Sequence, residues 1–285
     1  MDWKKLALCA ALAAGSLNLV ACGDDPGMMV PDPVTHTYVI STISIPEATG
    51  TMAAGFNLDG MVSTGEGTTC VDLSPDYTST NDMEEGTDNG LATLVPTLAM
   101  LVGGPLDETL QAQIVDGSFL LLMEVSDING FNNDDSVMVQ LYIGSVPGGG
   151  APMIAGATLA PGQAFDGMAI GTPQTGSITG GRLTVATPLL TLAIDTGDFM
   201  IDLPIRTAQI RADISATGLG NGAIGGSLRV EDIATAAEMI MPGLGDTVRG
   251  VLGGVADMEP QAADPTTCDA LSVGILFNAV SATRN

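Results

Sequence analysis

Short apolar and β-branched segments separated by glycine-rich turns are the feature that most limits how this chain can fold. The sequence holds 37 glycines and 16 prolines among 285 residues, and neither residue favours the interior of a long helix. Residues 34–45 are β-branched and aromatic, and comparable segments recur at short intervals up to 271–280. We therefore predict a mainly β fold, an antiparallel β-sandwich or a curved sheet, in one domain over residues 34–285.

The hydrophobic pattern also predicts individual strands. Residues 118–125 and 136–143 flank a loop rich in Asn, Asp and Gly, so we expect a hairpin there. Pro204 is expected to place its strand at a sheet edge, because proline cannot donate to a ladder. Residues 145–181 are predicted to be a glycine-rich connector with a short strand near 164–170. The remaining strands are predicted at 182–187, 189–194, 199–205, 207–215 and 222–230.

Two segments have helical spacing instead, and we predict two short helical pairs, near 91–115 and 231–255. Residues 105–115 begin with proline, carry acids in the first turn and are followed by Gly117, which are start and stop signals of a helix. Pro96 is expected to kink or delay the helix before them. We expect these helices to pack at the ends of the sheet or on one face.

The amino-terminal segment resembles the signal peptide of bacterial lipoproteins. Lys4 and Lys5 precede a mostly apolar stretch, residues 6–19, which is too short to span a bilayer comfortably. It ends in Leu-Val-Ala-Cys at residues 19–22. This resembles the lipobox, in which Leu stands three positions before an obligatory cysteine. The resemblance covers residues 1–23.

The resemblance implies a lipid anchor. A diacylglyceryl group is expected on the Cys22 thiol, with cleavage before Cys22 and acylation, for example with palmitate, of the new amino terminus. Residues 1–21 are then a signal peptide, and residues 22–33, rich in Gly, Pro and Asp, a flexible tether. Gly23 follows the cysteine, where Asp favours inner-membrane retention in Gram-negative lipoproteins. The expected location is therefore the outer membrane, on its periplasmic or surface face.

Cys70 and Cys268 remain after such processing, and we expect them to form a disulfide because an exported protein meets an oxidising compartment. The alternative is two buried free thiols.

The chain is strongly acidic, with 33 Asp and Glu against eight Lys and Arg and a net charge of −25. Such a polyanion repels nucleic acid, so we expect no nucleic-acid partner. The charge has two interpretations: it keeps the protein soluble, or clustered carboxylates require a divalent cation.

The sequence lacks the residues that several classes of enzyme require. The only histidine, His36, falls in a predicted strand with no nucleophile beside it in the sequence, and zinc would require clustered His and Cys. Residues 220–225 match G-x-G-x-x-G but run into a predicted strand instead of opening a helix, which argues against dinucleotide binding. The many acids leave a carboxylate-dependent, glycosidase-like hydrolase open.

Calcium is the one cofactor for which the sequence offers candidate ligands. Asp127, Asn129, Asp134 and Asp135 supply oxygens in the predicted hairpin loop, although only its start matches a calcium-binding loop. The alternative is a turn whose side chains cap their own backbone. A second acidic stretch, 72–89, is either a further calcium candidate or a solvated loop whose Asp88 or Asn89 caps the next helix.

Together these features predict a lipid-anchored cell-envelope protein of non-catalytic binding or structural type. Its partner, a protein or a small ligand, is not identified by the sequence. The alternative is the anchored carboxylate hydrolase.

Overall fold

One antiparallel sheet that closes on itself dominates the computed structural model, which describes residues 32–102, 104–195 and 200–285. The strands of these residues are β1 (Val34–Ser44), β2 (Met52–Ala53), β3 (Tyr77–Ser79), β4 (Glu85–Thr87), β5 (Leu121–Ile128), β6 (Asn133–Ser145), β7 (Ile154–Ala155), β8 (Thr158–Leu159), β9 (Gln163–Thr179), β10 (Arg182–Asp195), β11 (Met200–Ser215), β12 (Gly218–Arg229), β13 (Met258–Pro260) and β14 (Cys268–Arg284). Their helices are α1 (Cys70–Leu73), α2 (Leu91–Val102), α3 (Leu106–Asp116), α4 (Val230–Ile240) and α5 (Leu244–Leu252).

The long strands form a ring in the order β1, β5, β6, β9, β10, β11, β12 and β14, and β14 pairs again with β1. Neighbours around this eight-stranded barrel are antiparallel. Strand β13 extends the sheet beyond β14, while β2–β3–β4 and β7–β8 form separate small sheets. The prediction of a mainly β fold with an antiparallel, curved sheet is confirmed.

The barrel interior is filled at the end where β1 begins. Tyr38 on β1 is fully buried, and its hydroxyl donates to the Ser215 carbonyl at 2.8 Å. Strands β14 and β12 separate β1 from β11 in the ring, so this side chain crosses the interior. Other fully buried interior side chains are those of Leu183, Ile210, Phe277 and Ile178, and each contributes roughly 1.5–3 kcal/mol by burial.

Helices cover the opposite end. Strand β12 ends at Arg229, and α4 begins at the next residue, Val230. Helix α2 packs against β14, α3 packs against β1, and α4 packs against β11. Both predicted helical pairs are confirmed, and Gly117 ends α3 in the left-handed conformation, where its N–H donates to the Gln113 carbonyl. Pro96 does not delay its helix, because α2 begins at Leu91 and contains it.

The short strand predicted near 164–170 is confirmed, but the connector predicted over 145–181 is too long. The strand is part of β9, which takes up 17 of these residues and continues to Thr179, where glycines and Pro173 hide its strand character in the sequence. Strand β11 as a whole pairs on both sides. Over residues 200–205, however, it pairs with β10 alone, since pairing with β12 starts only at Arg206, so the expected edge position holds for the segment around Pro204.

The barrel wall is open between β9 and β10. The two strands pair only over Gly176–Thr179 and Arg182–Val185. Beyond that, β9 stays with β6 and β10 stays with β11.

The predicted disulfide is confirmed. Cys70 at the start of α1 and Cys268 at the start of β14 are bonded, with their Cα atoms 5.7 Å apart, and the bridge closes a span of 198 positions. It fastens the segment between β1 and α2 to the barrel.

The proposed signal peptide, Cys22 and nearly all of the tether lie outside the described residues. Among the helices that the structure does describe, none has the length and apolar character needed to cross a bilayer.

Candidate ligand-binding site

A cavity of about 300 Å³ lies between the helices and the covered end of the barrel. Its floor consists of the interior-facing ends of β1, β11 and β14, and its roof consists of α2, α3 and α4. The floor residues are Ile43, Ile45, Leu203, Ile205, Leu228, Val273 and Ile275. The roof residues are Leu91, Leu98, Leu106, Thr109, Leu110, Gln113 and Ile233, with Phe119 just after α3.

Helix α3 is held in place over this cavity by its first turn. Both oxygens of the Asp107 carboxylate accept hydrogen bonds from the end of β1, from Ser44 Oγ at 2.6 Å and from the Ile45 N–H at 2.7 Å. Gln111 Nε2 donates to the Ser41 carbonyl at 3.0 Å. These bonds hold α3 against β1, and Leu106 and Leu110 of the same helix line the cavity.

Two side chains with polar atoms line the cavity. Thr109 Oγ1 already has a partner, since it donates to the Pro105 carbonyl of its own helix at 3.3 Å. Gln113 Oε1 is buried and has no hydrogen-bond partner among the described residues. No charged residue of the described chain is in the lining.

A second apolar space, of about 250 Å³, lies at the opening between β9 and β10. Leu190 and Ile205 are directly opposed on β10 and β11, and both are fully buried. Leu190 lines the opening and Ile205 lines the cavity, so this pair stands between the two spaces.

The described residues also form an acidic pocket, of about 290 Å³, lined by Asp76, Asp88 and Asp257. Burial raises the pKa of Asp88 to about 7, opposed by a hydrogen bond from the Leu58 N–H and supported by neighbouring carboxylates. Burial likewise raises the pKa of Asp76 to about 6 and raises that of Asp257. The carboxyl groups of Asp88 and Asp76 can therefore hold protons close to neutral pH.

Each acid of this pocket also accepts a hydrogen bond from the backbone around it. Asp88 Oδ2 accepts from the Leu58 N–H at 2.7 Å and Asp76 accepts from the Ser63 N–H, both in the loops, whereas Asp257 accepts from the backbone and hydroxyl of Ser272 on β14. The expectation that this acidic stretch caps a helix is confirmed at Asn89, whose Oδ1 accepts from the Ala92 N–H at 3.1 Å in the first turn of α2.

The predicted calcium ligands Asp127, Asn129, Asp134 and Asp135 lie at the β5–β6 hairpin. Asp134 accepts from the Asn129 N–H at 2.6 Å and from the Ser136 N–H at 3.2 Å, as in the alternative interpretation of a self-capped turn. Burial acts to raise the pKa of Asp134, but these hydrogen bonds outweigh it and lower the pKa. Over the described ranges, no group of three or more His, Cys, Asp or Glu side chains is arranged to hold a metal ion. Calcium binding stays a prediction.

The other singled-out residues have packing roles. The His36 ring stacks with Tyr38 and meets the edge of Phe131, with ring centroids 6.2 and 5.1 Å apart. Residues 220–225 lie inside β12 and open no helix.

The arginine side chains of the described residues already form ion pairs with acidic side chains. Every arginine among them makes at least one ion pair with a carboxylate, namely Arg182, Arg206, Arg211, Arg229, Arg249 and Arg284. The surface therefore offers little attraction to an anionic ligand.

Sequence reasoning missed the cavity, because its aliphatic residues resemble any buried core. The one usable signal was Gln113, a polar residue that stands three positions after Leu110 and so shares the apolar side of α3.

No protein-family model matches the chain, and neither a curated protein nor a solved structure shows significant similarity to it.

Proposed function

We propose that this chain is a lipid-anchored cell-envelope protein that binds a small apolar molecule without chemical conversion. The observation that supports this function is the apolar cavity of about 300 Å³ beneath α2, α3 and α4. Ligand sites are typically apolar cavities from about 300 Å³ upwards, with few polar groups, and are common at the mouths of barrels. An eight-stranded barrel is wide enough to hold one small ligand.

The proposed anchor suits such a role. The tether would join the barrel at Val34, whereas the cavity is lined by Ile43 and Ile45 at the far end of the same strand. At about 3.3 Å per residue, these points are roughly 30 Å apart along β1. The cavity is therefore at the end of the domain remote from the proposed point of attachment.

Binding of the neutral fluorophore N-phenyl-1-naphthylamine tests this function. The Cys22→Ser protein is used, because without an acyl group it needs no detergent, which would compete for the cavity. We expect saturable fluorescence enhancement. Leu110→Trp, which fills the space under α3, should abolish it.

The matched control is Met239→Trp, because Met239 is exposed on α4 and does not line the cavity. It should bind the fluorophore as the parent protein does. Equal binding by the Leu110→Trp and Met239→Trp proteins would contradict a site in this cavity.

The alternative function, a carboxylate-dependent hydrolase, is favoured by one observation. Asp76, Asp88 and Asp257 share a pocket, and the raised pKa of Asp88 is suited to a general acid. The binding function has the stronger support, since these carboxylates already accept hydrogen bonds from the backbone around them. Turnover of generic glycoside or ester substrates that is lost in Asp88→Asn would reverse this order.

A further inference from the structure

We propose that the acidic pocket controls binding in the apolar cavity. While the carboxyl groups of Asp76, Asp88 and Asp257 are protonated, α2 stays in place over the cavity, and their ionisation with rising pH displaces the start of α2 and releases the ligand. This inference depends on the proposed binding function and adds a regulation of the same site. It rests on the short connection between the two spaces, on the bonds at the start of α2 and on the charges that share the pocket.

The acidic pocket and the apolar cavity are lined by consecutive residues of the chain. Residues 88–90 line the pocket, whereas Leu91, the first residue of α2, lines the cavity. The same change of side occurs on β14, where Ser272 bonds to an acid of the pocket and Val273 lines the cavity, because successive side chains of a strand point to opposite faces. A displacement at the pocket therefore moves part of the cavity roof.

Hydrogen bonds join the start of α2 to one of the acids. The Ser272 hydroxyl donates to Asp257, and Ser272 Oγ accepts from the Gly90 N–H at 2.7 Å. Gly90 also lies directly against this acid, since a Cβ atom added at Gly90 would be 2.8 Å from Asp257 Oδ2. Movement of the Asp257 carboxyl group is therefore passed directly to the residue before α2.

The pocket brings like charges together. Asp59, Asp76 and Asp257 face Asp88, and Tyr77 is the other titratable residue in the lining. Among the described residues, no cationic side chain lines the pocket. Ionised together, these carboxylates repel one another in surroundings that hydrate them poorly.

The direction of the effect follows from burial. Burial raises the pKa of Asp88 to about 7 and that of Asp76 to about 6, so both lose their protons as the solution passes through neutrality. The start of α2 opposes this effect, because the amino end of a helix is equivalent to about +0.5 elementary charge. Half a charge compensates only part of one carboxylate, whereas three carboxylates line the pocket.

Binding of N-phenyl-1-naphthylamine to the Cys22→Ser protein at pH 6 and pH 8 tests this regulation, because the fluorophore is neutral at both values. We expect the dissociation constant to be about tenfold higher at pH 8, the change linked to one proton that leaves a group with a pKa of about 7.

Two variants assign the pH dependence to the pocket. Asp88→Asn stays neutral and keeps an acceptor for the Leu58 N–H, so most of the pH dependence should disappear. Glu66→Gln is the matched control, because Glu66 is an exposed acid of the same segment and does not line the pocket. It should keep the tenfold change.

Hydrogen exchange measures the movement of α2 without the fluorophore. After correction for the intrinsic effect of pH, the amides of residues 91–98 should lose protection between pH 6 and pH 8. Those of β5 and β6 should keep it. In Asp88→Asn, α2 should remain protected at both values.

The possible results separate the two proposals. Equal binding at pH 6 and pH 8, a pH dependence that survives in Asp88→Asn, or loss of protection in β5 and β6 together with α2 would overturn the regulation while leaving apolar binding intact. Failure of the fluorophore to bind at either pH would remove the proposed function as well.

Discussion

Several glycines in the barrel strands occupy positions where neighbouring atoms leave no room for a side chain. A Cβ atom added at Gly222 would lie 2.6 Å from the Phe277 ring, and one at Gly225 would lie 2.3 Å from the Phe56 ring. Both contacts are too short for a side chain. These glycines belong to the G-x-G-x-x-G match, so their role here is packing.

Gly274 gives the sharpest prediction of this kind. Its added Cβ would lie 2.2 Å from the Ala54 carbonyl oxygen, a backbone atom that cannot rotate away. Gly274→Ala should lower the free energy of unfolding by about 1–3 kcal/mol. Gly220→Ala on β12, where no atom lies within 4 Å of the new Cβ, should change it by less than about 0.5 kcal/mol. Urea unfolding measures both, and equal effects would contradict the packing role.

Asp88 predicts how stability depends on pH. Its pKa is raised by burial to about 7, against about 3.9 in an unfolded chain. Between these values the folded state binds more protons, so the contribution of Asp88 is complete below about pH 4 and is lost as pH rises through 7. Asp76, with a pKa raised to about 6, acts in the same direction.

We therefore expect the melting temperature to fall between pH 5 and pH 8. Asp88→Asn, which stays neutral and keeps an acceptor for the Leu58 N–H, should flatten this decline and be more stable than the parent at pH 8. Thermal unfolding at several pH values provides the measurement. A melting temperature that rises over this range would show that Asp88 is not protonated in the folded state.

At the scale of secondary-structure elements, the sequence predicted what local pattern controls. The hairpin of β5 and β6 and the paired helices α2–α3 and α4–α5 follow from hydrophobic spacing and turn residues. Only residues 164–170 of β9 were predicted, because the glycines and Pro173 that follow have turn character, and pairing with β6, β10 and β14 makes the whole segment a strand. Closure of the ring depends on the contact of β1 with β14, some 240 positions away, which no local pattern contains.

The candidate site was predictable only in part for the same reason. Leu110 and Val273 come from distant elements, and each looks like an ordinary core residue until the barrel end and α3 are placed together. The cluster of Asp76, Asp88 and Asp257 likewise joins residues far apart in the chain. Cys70 and Cys268 were predictable because few cysteines left few choices.

The disulfide joins α1 to β14, and its removal should lower the free energy of unfolding. The Cys70→Ala/Cys268→Ala protein should lose about 2–4 kcal/mol of unfolding free energy, because a long loop is no longer closed in the unfolded chain. Urea unfolding measures the loss. Alkylation of the unfolded, unreduced parent should leave both positions unmodified, and two modified thiols there would contradict the bond.

For the molecule as a whole, the proposed anchor would decide where the proposed binding takes place. Cells supplied with labelled palmitate should incorporate the label into the parent protein and into Cys9→Ser, whose cysteine lies in the proposed signal peptide. Cys22→Ser should incorporate none and should leave the membrane fraction. Label or membrane retention in Cys22→Ser would refute anchoring at this position.

Lipid-anchored proteins are concentrated in the plane of a membrane, where neighbouring molecules meet often. The opening between β9 and β10 therefore bears on self-association. Beyond Val185 the facing main chains of these strands are not paired with each other, and such free strand borders invite the chains of neighbouring molecules to add on. Pro173 and Pro188 lie along the two borders, and proline offers no N–H to an incoming strand. Replacing both prolines would therefore be expected to turn a protected seam into a site of self-association, most of all where the proposed anchor would crowd the molecules on a membrane.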